Sequence, residues 1–134
     1  MDAQWSDAPF DLLGRFLRVG VIRRAVAALS PTWDDATFDI LGLEKGVTAP
    51  SDDALVERVH PDDQAALRET HVRLANGPGK CSQRVRYIRP DGGLRYLKFL
   101  YEVRAPGEGG GLDVRGLVVD ETESVEAWRA SWES

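Results

Sequence analysis

The sequence predicts an α+β domain whose last third forms an antiparallel sheet. Residues 81–121 alternate between apolar and polar side chains with a period of two in three stretches, which is typical of paired strands. The middle of the chain contains short apolar segments that begin near Asp, Ser or Pro and end at Gly, as short helices do. Both ends of the chain carry apolar residues at helical spacing. We therefore expect a sheet accompanied by short helices, with a further helix at each end.

Composition limits the classes of function. The chain has 134 residues, of which 43% are hydrophobic and 29% are charged, as in one soluble domain. Its net charge of -5 argues against nucleic acid as a partner, because that requires a basic face. A single cysteine, Cys81, excludes an internal disulfide and a cysteine-rich zinc site, and favours the reducing cytoplasm. No apolar run reaches the ~20 residues that span a bilayer, and the N-terminus does not resemble a secretory signal, so we expect no membrane partner.

The first predicted element is an amphipathic helix from Asp7 to about Arg18. Ser6 can cap this helix, and Asp7 lies in its first turn, where a carboxylate interacts favourably with the helix dipole. The apolar residues cover more than half of the helix circumference and are Phe10, Leu12, Leu13, Phe16, Leu17 and Val19. Such a helix must be covered either by the domain's own sheet or by a partner.

The middle of the chain is predicted to contain two strands and three helices. In order, these are a strand from Val21 to Ala27, a turn at Leu29-Ser30-Pro31, a strand at Thr32-Trp33, a helix from Ala36 to Leu41, a short helix that begins after Ser51, and a helix from Pro61 to about Ala75. Asp34 or Asp35 can cap the first helix, and Gly42 can end it. Leu67, His71 and Leu74 share one face of the last helix, which we assign to the interior.

The segment His60-Pro61-Asp62-Asp63 combines a histidine with two acids and could be interpreted as a catalytic or metal site. Proline is favoured at the first helical position, and carboxylates are favoured in the first turn. A helix start therefore accounts for all of these residues, and we interpret them as structural.

The last third is predicted to form three antiparallel strands over residues 81–89, 94–105 and 112–121. One face of these strands is apolar and contains Val85, Tyr87, Leu97, Phe99, Tyr101, Val103, Leu112, Val114, Gly116 and Val118. The other face is mixed, with an apolar patch that consists of Tyr96, Leu100, Leu117 and Val119. Such a patch needs a cover, and the N-terminal helix is the obvious one. After the last strand, the heptad spacing of Val125, Trp128 and Trp132 predicts the start of another helix.

Six motifs follow one another along the chain: Trp33; Ile40-Leu41-Gly42; Val59-His60-Pro61-Asp62-Asp63; Arg86-Tyr87-Ile88-Arg89-Pro90-Asp91-Gly92; Leu94-Arg95-Tyr96; and Gly116-Leu117-Val118-Val119-Asp120-Glu121-Thr122-Glu123. In this order they resemble the PAS domain family, in particular the subgroup with an HPDD helix start and a closing D-x-T strand. The resemblance covers about Val19 to Glu123. Two features depart from the family pattern: the first turn, Ala28-Leu29-Ser30-Pro31, lacks glycine, and Tyr96 replaces the usual tryptophan.

The resemblance implies the PAS fold, in which a five-stranded antiparallel sheet carries short helices on one face. The implied domain division is an N-terminal dimerisation or cap helix at 1–18, the PAS domain at 19–123, and the start of a C-terminal signalling helix at 124–134. The implied role is a bacterial-type cytoplasmic sensory or protein-interaction module, not itself an enzyme. It would form a homodimer and relay a signal to a partner protein or to an effector, such as a histidine kinase of a two-component system or a diguanylate cyclase. A stand-alone adaptor protein is an alternative.

These expectations assign residues to three regions. The dimer or partner interface would contain Phe10, Leu13, Phe16, Leu17, Tyr96, Leu100, Leu117 and Val119. The signal output would contain Asp120, Thr122, Val125, Trp128 and Trp132. A ligand pocket would be lined by Leu67, His71, Val85, Tyr87, Leu97, Phe99, Tyr101, Val114 and Val118, with His71, Tyr87 and Tyr101 as its polar groups and Arg95 as a weaker candidate. A filled core remains the alternative, because a pocket and a core have the same composition.

We expect neither a cofactor nor a metal. Heme-binding PAS domains take a histidine from the helix that holds His71, but the matching position lies nearer Leu67. Flavin-binding light sensors of the family carry an Asn-Cys-Arg run between positions equivalent to Ser51 and His60, where this chain has none. Cys81 begins a strand and is interpreted as structural. A sensor that binds heme or a small apolar metabolite is the alternative, whereas the absence of a phosphate-binding glycine loop and a nucleophile elbow argues against an enzyme.

Overall fold

The computed structural model describes residues 18–26, 28–107 and 111–126. Its strands are β1 (Arg18–Arg24), β2 (Thr32–Trp33), β3 (Gly79–Ile88), β4 (Leu94–Arg104) and β5 (Asp113–Asp120), and its helices are α1 (Asp35–Leu41), α2 (Asp52–Val56) and α3 (Pro61–Ala75). Residues 122–126 are also helical. Across these ranges, no helix has the length and hydropathy needed to cross a membrane. The predicted N-terminal helix, with Phe10, Leu13, Phe16 and Leu17, and the tryptophans Trp128 and Trp132 lie outside the described residues.

The five strands form one antiparallel sheet in the order β2-β1-β5-β4-β3. The predicted three-strand meander is confirmed as β3, β4 and β5, which are neighbours in sequence and in space. β1 pairs with β5, so the first and last strands lie side by side at the centre of the sheet. The helices connect β2 to β3. The structure thus confirms the predicted fold class.

β1 lies three residues earlier than its predicted position, Val21 to Ala27. Val19 and Gly20 pair with β5, whereas the backbone N–H of Ala28 donates to the carbonyl of Ala25 and closes a turn. The β-branched composition of the segment allowed either placement, because pairing across the sheet decides where a strand ends. Similarly, β3 starts two residues before its predicted start, where Gly79 still pairs with β4.

Local capping accounts for the helix boundaries. The side chains of Asp34, Ser51 and His60 each accept a hydrogen bond from a backbone N–H in the first turn of α1, α2 and α3, respectively. Gly42 ends α1 in the left-handed conformation, with a φ of 70°, which glycine adopts without strain. The predicted bounds of α3 are confirmed, and Asp34 rather than Asp35 caps α1.

The core lies between the helices and the inner face of the sheet. The apolar alternation predicted for the last three strands places Val85, Tyr87, Leu97, Phe99, Tyr101, Val103, Val114 and Val118 in this core. Gly20 permits α1 to approach β1, because a Cβ at this position would lie 2.7 Å from the backbone of Thr37. Thr37 is fully buried, and its hydroxyl lies 2.7 Å from the Asp34 carboxylate. The same carboxylate accepts a hydrogen bond from the backbone N–H of Val21 in β1 at 2.9 Å, which anchors the first helix to the sheet.

Candidate functional site

The residues predicted to line a ligand pocket are packed together in the core. Eight of them are buried: Leu67, Val85, Tyr87, Leu97, Phe99, Tyr101, Val114 and Val118. Beside Tyr101 and Val114, the described residues enclose a cavity of about 20 Å³, which has room for about one water molecule. Tyr87 is not an open polar group, because its hydroxyl donates to the carbonyl of Leu41 at 2.8 Å. This arrangement is that of a filled core.

His71 is one of the polar side chains that border the small cavity, together with Arg24, Ser51, Asp52 and Tyr101. Its side chain is 10% exposed, and its Nδ1 lies 3.9 Å from a carboxylate oxygen of Asp52. Nε2 is buried and makes no hydrogen bond within the described part of the chain. The ring packs edge-on against Tyr101, with 6.4 Å between the ring centroids. Burial lowers the pKa of His71 and raises that of Tyr101, so both side chains are neutral at neutral pH.

The opposite face of the sheet forms an open groove, which we call the outer groove. Its floor is the cross-strand row Val21, Leu117 and Leu100, and one end is formed by the next row, which contains Arg23, Arg115, Glu102 and Lys80. The groove has a volume of about 870 Å³. Val21 and Leu100 are 38% and 36% exposed. The predicted patch residue Leu117 lies in this floor, and Val119 lies in the adjoining row.

The charged end of the outer groove is held by ion pairs. Asp113 lies 3.5 Å from Arg23 and 3.4 Å from Arg115, and its own side chain is 10% exposed. Glu102 lies 3.9 Å from Lys80. Arg104 also lies 2.9 Å from Glu102, so four cations face two carboxylates at this end of the groove, and its surface is basic in spite of the acidic chain.

Two predicted output residues, Asp120 and Thr122, form a buried joint that we call the C-terminal junction. The Asp120 carboxylate accepts hydrogen bonds from the backbone N–H and the hydroxyl of Thr122. The Thr122 hydroxyl oxygen also accepts from the backbone N–H of Tyr96 at 3.0 Å, and the N–H of Glu121 donates to the Tyr96 carbonyl at 2.8 Å. Arg95 lies 3.6 Å from Asp120. The start of the helical segment 122–126 is thereby attached to β4.

An ion pair that joins α3 to β3, between Asp63 and Arg86, was not predicted from the sequence. Asp63 accepts two hydrogen bonds at one oxygen from the backbone N–H and the Nε of Arg86, and one at the other oxygen from the Nη2 of Arg86. These bonds lower the pKa of Asp63 from 3.8 to about 2. Sequence reasoning assigned Asp63 to the helix dipole, since no local pattern links residues 23 positions apart. The features of the sequence that could have indicated this pair are an acid in the first turn of α3 and an arginine on the polar face of β3.

The structure brings together no metal-binding set in its described ranges, where no group of three or more His, Cys, Asp or Glu side chains could hold an ion. Cys81 is half-buried and packs against the core. Burial raises the pKa of its thiol, which keeps it protonated at neutral pH.

The molecule has a five-stranded sheet with helices on its filled inner face and an open outer face. A family model of the PAS fold matches residues 30–118. The chain belongs to the PAS family. A comparison with curated protein sequences gave no match.

Several solved structures resemble this PAS domain. The N-terminal domain of a diguanylate cyclase with a PAS/PAC sensor from Marinobacter aquaeolei is 16% identical, with a TM-score of 0.68 over 79% of this chain and 97% of that one. A sensory box histidine kinase/response regulator from Burkholderia thailandensis is 18% identical, with a TM-score of 0.65 over 92% of this chain and 95% of that one. An RNA-binding light-oxygen-voltage receptor is 16% identical, with a TM-score of 0.69 over 85% of this chain. The chain spans only 31% of that receptor, and identities this low show the shared fold alone.

Proposed function

We propose that this PAS domain is a cytoplasmic sensory and protein-interaction module of signal transduction, and that the domain itself is not an enzyme. The family assignment supports this role, as do the similar domains named for a diguanylate cyclase and a sensory histidine kinase. The structural observation that carries the proposal is the contrast between the two faces of the sheet. The inner face is filled, whereas the outer face offers an apolar groove of about 870 Å³.

The domain forms a homodimer through its N-terminal helix and the outer face of the sheet. Val21, Leu100 and Leu117 would expose a continuous apolar row to water in the absence of a cover. Covering ~100 Å² of apolar surface is favourable by about 2.5 kcal/mol, so this row provides a driving force for association. The predicted helix over residues 7–18 is apolar on more than one side and can contribute to the same interface.

Light scattering tests the homodimer. The full chain should have the mass of a dimer, and the double variant Leu100→Glu/Leu117→Glu should have the mass of a monomer because its carboxylates interrupt the apolar floor. Leu29→Glu is the matched control, since Leu29 is 99% exposed and does not line the groove. A monomeric full chain, or a dimer that survives the double substitution, contradicts the proposal.

The signal leaves through the C-terminal junction into the helical segment 122–126, towards an effector domain or a partner protein. The junction supports this route because Asp120 and Thr122 join β5, β4 and the helix in one buried network. Trp128 and Trp132 continue the spacing of Val125 and are the proposed contacts of this output helix.

Replacing Trp128 and Trp132 with alanine tests that route. The double variant should keep the melting temperature of the parent within a few degrees while it loses dimer mass or signal output. If the domain unfolds instead, the two tryptophans are core residues and the output role is wrong. Glu126→Ala is the control for a change on the same segment, since Glu126 is exposed.

A second candidate is a sensor for a small molecule, and the cavity beside His71 is the observation that favours it. Its volume of about 20 Å³ requires the core to repack around anything larger than water. An absorption spectrum and native mass spectrometry of the freshly purified protein test it. A Soret band or a bound mass would support the sensor, and their absence would leave the protein-interaction module.

A further inference from the structure

One edge of the sheet is formed by β3, and part of this edge already holds an extended segment of the chain. β3 is the last strand in the order of the sheet, so one of its sides has no neighbouring strand. The backbone N–H of His60 donates to the carbonyl of Arg86, and the N–H of Ile88 donates to the carbonyl of Arg58, both at 2.8 Å. Val59 thereby lies antiparallel to β3. The edge therefore accepts a strand-like segment over residues 86–88.

The preceding half of the same edge is open. Inward and outward backbone groups alternate along a strand, and the two residues of β3 that point outward in residues 86–88 are even-numbered. Lys80, Ser82 and Arg84 therefore point their backbone groups away from β4. The side chain of Gln83 donates to the carbonyl of Arg84 at 3.0 Å. Within the described ranges, no hydrogen bond reaches the N–H and C=O of Lys80 and Ser82 or the N–H of Arg84.

The open half of the edge is accessible to another chain. The side chains of Lys80 and Arg84 are 82% and 69% exposed, and Ser82 is exposed between them. An added Cβ at Gly77 or Gly79 would have no atom within 4 Å, so the loop before β3 leaves its start uncovered. The five residues 80–84 correspond to ~17 Å of extended strand. A partner strand of about the same length fits this edge.

Cations surround the open edge. Lys80 lies 3.9 Å from Glu102, and Arg84 lies 3.1 Å from Glu121. These carboxylates belong to β4 and to the segment after β5, so they lie behind the two cations and not at the edge itself. Arg73 of α3 adds a third exposed cation, and its charge acts on the thiol of β3. An acidic strand therefore matches this edge in charge.

A second copy of the chain is a poor occupant. Two copies of this edge can pair symmetrically only as antiparallel strands, and pairing about Ser82 would place Lys80 of one copy directly opposite Arg84 of the other. Like charges that are directly opposite destabilise a sheet. The cations thus protect the edge from association with itself, as charged residues on edge strands do, and leave it available to an acidic partner.

We propose that residues 80–84 of β3 bind an extended acidic segment of a partner protein as an additional antiparallel strand of the sheet. The open backbone groups provide affinity, and Lys80 and Arg84 select acidic side chains at the positions opposite them. This edge adds an interaction surface to the outer groove, which ends at the same strand.

A heptapeptide in which glutamate alternates with valine is the probe, and it is titrated into the isotope-enriched full chain. The amide signals of Lys80, Ser82 and Arg84 should shift and become protected from hydrogen exchange, because the peptide carbonyls replace water as their acceptors. The odd-numbered amides of β3 pair with β4 and should be protected from the start. Signals that move at Val21 and Leu117 in place of the edge, or no shift at millimolar peptide, overturn the proposal.

Removal of one outward N–H tests the backbone pairing. Ser82→Pro removes a donor that the partner needs but breaks no bond to β4, and proline is tolerated where the N–H of an edge strand faces solvent. This variant should keep the melting temperature of the parent within a few degrees and bind the peptide at least roughly tenfold more weakly. Ser82→Ala is the matched control and should bind as the parent does. A folded proline variant with the affinity of the parent contradicts the pairing.

N-methylation of the peptide gives the same test without a change in the protein. A peptide that is N-methylated at every glutamate lacks the donors that face the edge in an antiparallel pairing, and it should lose binding to a similar extent. Equal affinities of the methylated and unmethylated peptides refute the added strand, even if Ser82→Pro fails to fold.

Charge reversal tests the selection of acids. Lys80→Glu should weaken binding by roughly threefold, the effect of an exposed ion pair, and a peptide with lysine in place of glutamate should bind more weakly to the parent. Lys45→Glu is the control, because Lys45 is 70% exposed in the loop after α1. Equal affinities of the two peptides contradict an acidic partner. Light scattering of Ser82→Pro should give the mass of the parent, so failure of this proposal and failure of the proposed homodimer are distinguishable.

Discussion

Replacing Thr122 with valine removes one hydroxyl group from the C-terminal junction while it preserves the shape of the side chain. Thr122 is 4% exposed. In the parent, its hydroxyl oxygen accepts from the backbone N–H of Tyr96 at 3.0 Å, and its hydroxyl hydrogen is donated to the Asp120 carboxylate. The variant leaves the Tyr96 N–H without this acceptor, and the carboxylate without one of its donors.

The magnitude follows from these two losses. A buried polar group without a partner costs about 1–3 kcal/mol, and a hydrogen bond to a charged group contributes about 1.5–3 kcal/mol. Asp120 keeps the backbone N–H of Thr122 at 3.0 Å and the nearby Arg95, so the second loss falls in the lower part of its range. We expect the free energy of unfolding to decrease by ~2–4 kcal/mol. For a domain of this size, that corresponds to a melting temperature lower by ~8–16 °C.

Thermal unfolding followed by circular dichroism measures this difference. Thr122→Ser is the matched control, because it keeps the hydroxyl and loses one methyl group, which costs ~0.8 kcal/mol, or about 3 °C. A valine variant that melts together with the serine variant would refute the reasoning. It would mean that water replaces the lost hydroxyl and that the junction is not a buried joint.

Three further predictions follow from the packing and the charges. Gly20→Ala should lower the free energy of unfolding in urea by about 1–3 kcal/mol, because the added Cβ would lie 2.7 Å from the backbone of α1. Gly107→Ala is the control and should leave this free energy unchanged, because no atom lies within 4 Å of its added Cβ. The Asp63–Arg86 pair should stabilise the fold fully above pH 3.8 and lose this effect as the pH falls to about 2. The difference in free energy of unfolding between the parent and Asp63→Asn should therefore decrease over that range, and a constant difference contradicts the prediction. Because the pKa of His71 is lowered, the domain should be more stable above the ordinary histidine pKa of 6.5 and lose this stability at lower pH. The melting temperature of His71→Gln should lack this pH dependence, and a pH profile identical to that of the parent contradicts the prediction.

Much of the fold follows from local pattern. The bounds of α3 agree with the prediction because proline at the first position and the Asn76-Gly77-Pro78-Gly79 stop act within a few residues of each end. The faces of β4 agree because alternation has a fixed period in any strand. β1 was misplaced by three residues because its ends depend on pairing with β5, almost a hundred residues further along the chain.

The candidate site was predictable only in part. Leu100 and Leu117 were assigned to one patch because alternation puts them on the same face. The basic end of the groove was not predicted, since Arg23 and Lys80 come from strands that are not neighbours in sequence. The same limit applied to Tyr87, which was proposed as a polar group of a pocket and instead donates to Leu41.

The sequence by itself determined the α+β class, the helix caps, the faces of the last three strands and the resemblance to the PAS family, because each of these depends on short-range spacing or on the order of motifs. Only the tertiary structure decided that β1 lies between β2 and β5, that the inner face is filled to a cavity of about 20 Å³, and that Asp63 pairs with Arg86. These features depend on contacts between distant segments, and volume and charge pairing arise only when the segments are packed together.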